Sequence, residues 1–186
     1  MHDTIHAFWR RIDQPGHDAA RFAQFGDGWK LEGYAAFNEN GPTGLRYEVT
    51  LRPDFTTAAA TIVGHRCGRP FRHEFHRIDG EWRLDGEAVP GLGDLIHLDF
   101  GFTPATNLQQ LLHADLGVGE EAELPAAWFD IGEATLVRLP QHYRRIAADR
   151  YHYRSPTAGY EATLEMAASG FVRLYPALWE MESLRG

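Results

Sequence analysis

The chain has 186 residues, 44% of them hydrophobic and 24% charged, which fits one domain spanning 1–186 with a core that needs no staples. Acidic residues outnumber basic ones, 26 to 18, for a formal charge of -8, and Lys and Arg do not cluster. A nucleic-acid partner is therefore not expected, and a polyanionic membrane surface would repel the chain. Cys67 is the only cysteine, so neither an intrachain disulfide nor an all-cysteine zinc site can form.

Residues 1–11 hold no apolar run long enough for a secretory leader, and no stretch approaches the ~20 apolar residues of a membrane span. The expectation is a soluble cytoplasmic protein. Aromatic residues make up 12% of the chain, more than its core needs, as is common in β-rich binding proteins.

Residues 5–12 form a short aromatic-rich run closed by Asp13-Gln14-Pro15-Gly16, a turn signal. Residues 18–25 are ambiguous. Ala19, Ala20 and Ala23 favour helix, whereas the hairpin-type Gly26-Asp27-Gly28 that follows favours strand, which we adopt. Trp29, Leu31, Gly33, Ala35 and Phe37 alternate with polar or small residues. After the turn Glu39-Asn40-Gly41-Pro42, Leu45, Tyr47, Val49 and Leu51 alternate with Arg46, Glu48, Thr50 and Arg52. The two runs predict an antiparallel pair with one wet face and one dry face. Residues 56–64, 71–76 and 82–84 predict further strands, separated by turns at Cys67-Gly68-Arg69-Pro70, Ile78-Asp79-Gly80-Glu81 and Asp85-Gly86. Turn signals at this spacing indicate an antiparallel meander, sandwich or open barrel.

The stretch 86–116 breaks the pattern. Ile96, Leu98, Phe100 and Phe102 alternate with His97 and Asp99, which predicts a half-buried strand. Thr103-Pro104-Ala105-Thr106-Asn107 then interrupts. Thr106 with Gln109 reads as a capping box, and Leu108, Leu111, Leu112 and Leu116 form an apolar helical stripe. Residues 121–130, 135–139, 142–146, 151–154, 160–166 and 171–175 predict a second run of strands. The halves 1–90 and 91–186 are thus candidates for structurally similar β-meanders, without any repeat in their residues.

Motifs for known chemistry are sparse. His73 and His76 lie three apart on a strand and so face opposite sides, which does not make a metal site. Cys67 sits in a turn and reads as structural, and Gly91-Leu92-Gly93 precedes a strand rather than a helix, unlike a phosphate loop. No catalytic set, metal or cofactor is assigned. Asp99 has two open readings: a carboxylate that accepts ligand hydroxyls or pairs with an Arg such as Arg46, or a brace for the backbone N–H groups of the 103–107 turn. Trp128, Tyr143, Tyr151 and Tyr153 present apolar bodies with polar tips, suited either to core packing or to an amphipathic ligand.

Several strings resemble the putative glycolipid-binding family of bacterial proteins: Asp79-Gly80-Glu81-Trp82, Asp99-Phe100-Gly101-Phe102-Thr103-Pro104-Ala105-Thr106-Asn107, Leu139-Pro140-Gln141-His142-Tyr143 and Gly170-Phe171-Val172. The resemblance covers nearly the whole chain. Gln110 stands where that family has Pro, and Leu112-His113 where it has a pair of Arg, so a grip on an anionic group through those arginines is missing. The resemblance implies an all-β, strongly curved antiparallel sheet, a half-barrel or clamshell around an apolar cleft, with one short helix after the central strand.

The function expected is non-enzymatic binding of an amphipathic lipid or glycolipid, with Arg46, Asp99, Asn107, Trp128, Tyr143 and Tyr151 as ligand-binding residues. Leu45, Tyr47, Val49 and Leu98 would pack the core or line the cleft. Two other readings are an enzyme acting on a sugar or lipid ester, with Asp99 and His97 or Tyr143 as acid and base, and an interaction module that pairs through strand edges.

Overall fold

The computed structural model describes residues 4–182, so residues 1–3 of the N-terminal stretch read above lie outside it. The alternating runs of the first half fold as eight strands: β1 (Ile5–Arg11), β2 (Gly16–Phe25), β3 (Gly28–Asn38), β4 (Pro42–Leu51), β5 (Thr57–Arg66), β6 (Arg69–Ile78), β7 (Glu81–Leu84) and β8 (Glu87–Val89). Each pairs antiparallel with the next. The ambiguous residues 18–25 are strand, because their eight cross-strand pairs with β3 outweigh the weak helix preference of three alanines. At Asp79-Gly80 and Asp85-Gly86 both central residues have positive φ, the backbone that lets two-residue hairpins follow strand twist.

The second half supplies β9 (Leu98–Phe100), α1 (Asn107–Ala114), β10 (Glu121–Glu123), β11 (Ala126–Asp130), β12 (Thr135–Leu139), β13 (His142–Ala147), β14 (Arg150–Ser155), β15 (Tyr160–Met166), β16 (Val172–Tyr175) and β17 (Trp179–Met181). β17 pairs with β1, which joins both meanders into a fourteen-stranded curved sheet, open at β10 and β8 and not closed into a barrel. The remaining three strands form a small sheet in the order β12-β11-β9, in which β9 and β11 run parallel. The protein is all-β, as the alternation and the resemblance predict, with the one short helix directly after β9.

Three local expectations are corrected. The run 121–130 is not one strand: Pro125 lacks a backbone N–H, and the pieces on either side of it join different sheets. The central strand is three residues long and buried on both faces rather than one: Leu98 and Phe100 pack into the main core, and Asp99 is covered by Thr106 and Gln141. Strands β8 and β17 were not expected, being too short to show a period.

The inward residues of the first meander make a solid core. Leu45, Tyr47, Val49, Ile62, Phe75 and Trp82 pack with Leu98, Phe100 and Phe102 of the β9 region and Phe129 of β11. Phe100 and Phe102 stack at 5.1 Å, and Tyr47 meets Phe102 edge-on at 5.7 Å. Leu45, Tyr47, Val49 and Leu98 therefore fill the core, and none of them lines a described cleft. A second, smaller cluster gathers Leu111, Leu116, Tyr143, Tyr151, Tyr153, Leu164 and Val172 beneath the helix.

Candidate functional site

The link from β9 to α1 is built from side chains that satisfy the backbone and one another. Thr103 Oγ1 accepts from the Ala105 N–H at 3.0 Å. Thr106 Oγ1 donates to Asp99 Oδ1 at 2.5 Å and accepts from the Phe100 N–H at 3.3 Å. The expected capping box does not form. Thr106 has φ -71° and ψ -14°, already helical, and makes no side-chain cap bond. Gln109 does not reach back to it but donates to the Leu98 carbonyl at 2.7 Å and to Thr57 Oγ1 at 3.3 Å. The helix ends at Asp115 in the left-handed region, where its N–H bonds the Leu111 carbonyl.

Asp99 is the centre of a buried polar chain. Its Oδ2 accepts from Gln141 Nε2 at 2.7 Å. The Tyr143 hydroxyl donates to Gln141 Oε1 at 3.2 Å and accepts from Asn107 Nδ2 at 2.7 Å. Burial pushes the Asp99 carboxyl above its ordinary range, against the bonds from Thr106 and Gln141. No described cationic side chain pairs with it. Burial likewise holds Tyr143, Tyr153 and Tyr175 above ordinary phenol values and Tyr160 up to about 12, so all four stay neutral phenols near pH 7.

Asp99 and Asn107 open onto a cleft of about 500 Å³, within the range of small-ligand sites. One side comes from the small sheet and the β9 turn: Phe100, Gly101, Thr103, Trp128, Val137 and Leu139. The other comes from the second meander, with Tyr153, Ser155, Tyr160 and Tyr175, and with Thr157 and Ala158 in the hairpin turn. Gly101 matters here, because a Cβ on it would lie 2.9 Å from the Trp128 indole. Arg138 stands on the lining and is paired with exposed Asp94. It and Asp99 are the only charged residues among those that line this cleft.

A second buried acid lies behind the β9 turn. Asp18, fully buried, accepts from the Thr103 hydroxyl and from the Tyr47 hydroxyl at 3.0 Å. Desolvation pushes its carboxyl up from 3.8 to about 7. His97 is also buried; its ring nitrogens have no described partner, and desolvation lowers it to about 3. Neither residue lines the cleft. No group of three or more potential metal ligands occurs among the described residues.

Of the sequence-predicted site residues, Asp99, Asn107 and Trp128 come together on the cleft. Tyr143 lies directly behind it, hydrogen-bonded to Asn107 and fully buried. Tyr151 faces a separate groove with Leu108, Leu111 and Met166, its ring 5.7 Å from the Arg145 guanidinium. Arg46 is on the outer face of β4, in ion pairs with Glu48 and Glu32 and beside exposed Tyr34. Gln141, Tyr160, Tyr175 and Asp18 were not named as site residues from the sequence, and Thr106 was read only as a helix cap. For Asp18 a signal existed: it shares inward parity with Ala20 and Phe22, where an acid is costly.

The fold and the cleft define an open, curved β-sheet protein with an aromatic-lined, acid-backed recess. The profile of the putative glycolipid-binding family matches residues 6–181, and the chain belongs to that family. It is similar in structure to a DUF1089 family protein from Pseudomonas aeruginosa, known from a crystal structure. The TM-score is 0.78 and the identity 22%, over 92% of this chain and 94% of that one. At that identity the likeness is one of fold. No curated protein matches the chain. No described helix is long and apolar enough to cross a membrane.

Proposed function

We propose that this protein is a non-enzymatic carrier that holds an amphipathic ligand, of the glycolipid class its family's description names, in the cleft between Trp128 and the tyrosines of the second meander. The observation that carries this reading is the make-up of the cleft: four aromatic side chains, Trp128, Tyr153, Tyr160 and Tyr175, beside a buried carboxylate and an amide. Asp99 and Asn107 meet the polar head, Trp128 packs against the ligand, and Tyr143 fixes Asn107 from behind. Each methylene taken from water against such walls contributes ~0.8 kcal/mol, so a few are enough for useful binding. Tyr151 and Arg46 stand outside this site.

A reading as a hydrolase draws support from the raised Asp99 carboxyl, which could serve as a general acid. Asp99 is, however, the one carboxylate among the described lining residues, and glycoside hydrolysis ordinarily uses two.

The test is native mass spectrometry after incubation with a total lipid extract. Ala158 is exposed in the turn at the cleft, so Ala158→Trp places a ring across the opening without touching the core. The wild type is expected to retain an added mass and Ala158→Trp to lose it. Equal retention by both proteins would place the ligand elsewhere.

A further inference from the structure

Asp99 is a buried carboxyl group that no described cationic side chain answers. Buried carboxylates ordinarily meet a cation or a metal. The partners of Asp99 are all neutral, the Thr106 hydroxyl, the Gln141 amide and the Phe100 backbone, and an ionised carboxylate has about four acceptor sites, so capacity remains. The one cation among the described lining residues, Arg138, is occupied by Asp94.

The walls add to this. Trp128, Tyr153, Tyr160 and Tyr175 line the same space. The three tyrosine rings are mutually inclined by 45–70°, with centroids 5.2–5.9 Å apart, so ring faces turn in different directions. A substituted ammonium is attracted to such faces through the ring quadrupole, most strongly where water is excluded. The formal charge of -8 also favours approach of a cation.

We infer that the cleft selects a ligand whose polar head carries an alkylated ammonium, seated against Trp128 and the tyrosines with Asp99 as its counter-charge. This rests on the reading of the cleft as the ligand site and narrows it. Burial resists ionisation of Asp99 while the cleft holds no cation, and an arriving ammonium removes that resistance. Asp18 is the contrast: equally without a cation, yet lining none of the described clefts, it has no ligand to answer it.

A neutral polyol head would use the same oxygens through its hydroxyls, so the test varies charge alone. Choline and its neutral tert-butyl isostere are titrated separately into the wild-type protein and followed by NMR, with octyl glucoside as a third probe. Choline is expected to bind roughly tenfold tighter than the isostere, or more, with shifts at Trp128 and Tyr160. In Asp99→Asn the preference should fall markedly, leaving only the part owed to the rings. Equal binding of the isosteres to the wild type, with octyl glucoside still shifting the cleft, overturns the charge assignment and leaves the carrier reading standing. Silence from all three probes overturns both. Full choline preference in Asp99→Asn removes Asp99 from the role.

Discussion

Asp18 and Asp99 show how one residue type takes two roles from its surroundings. Asp18 ties β2 to the β9 turn through Thr103 and to β4 through Tyr47 and is sealed, whereas Asp99 is 7% exposed on a cleft. A folded-state carboxyl at about 7 against an ordinary 3.8 means that the folded protein keeps a proton the unfolded chain releases. The associated stability is fully present below the lower value and is lost as pH rises through the upper one. His97, lowered to about 3, acts with the opposite sign: its contribution is present above its ordinary 6.5 and is lost as pH falls. The clean readout is therefore a difference. Denaturant unfolding of wild type and Asp18→Asn should show the variant gaining on the wild type by about 2–3 kcal/mol between pH 5 and pH 8. A constant difference across that window would mean that Asp18 does not hold its proton.

At the scale of elements, the β9 turn and the start of α1 position the cleft floor. Thr106 carries two bonds there, so Thr106→Val keeps the shape but leaves the Phe100 N–H and one oxygen of Asp99 without this partner. The expected cost is about 1–3 kcal/mol in unfolding free energy, with Thr106→Ser close to wild type. A loss in Thr106→Ser with Thr106→Val close to wild type would point to packing of the methyl group instead. The sequence showed strand followed by helix, with Asp99 and Asn107 at the junction, because period and turn chemistry are local signals. It misread Thr106 and Gln109 as a capping box for the same reason. Their spacing says what they could do for each other, and not that Asp99 and the Leu98 carbonyl lie within reach.

Across the whole molecule, the meanders were legible because inward and outward residues alternate along β4 and along β3 from Leu31 onward. Parity already placed Arg46 opposite Leu45 and Tyr47, on the outer face where it is found. The cleft was less legible. Trp128, Tyr153, Tyr160 and Tyr175 come from β11, β14, β15 and β16, and only the packing of the small sheet against the second meander brings them together. Nor could the alternation reveal that the first meander's interior would be filled by Phe100 and Phe102 while the second half kept its space.

The most direct measurement is a crystal structure of the protein soaked with a single-chain amphiphile such as dodecylphosphocholine. The account predicts density for the head between Asp99, Trp128 and Tyr160. Density over Tyr34 and Arg46 on the outer face, with water alone between Trp128 and Tyr160, would contradict it.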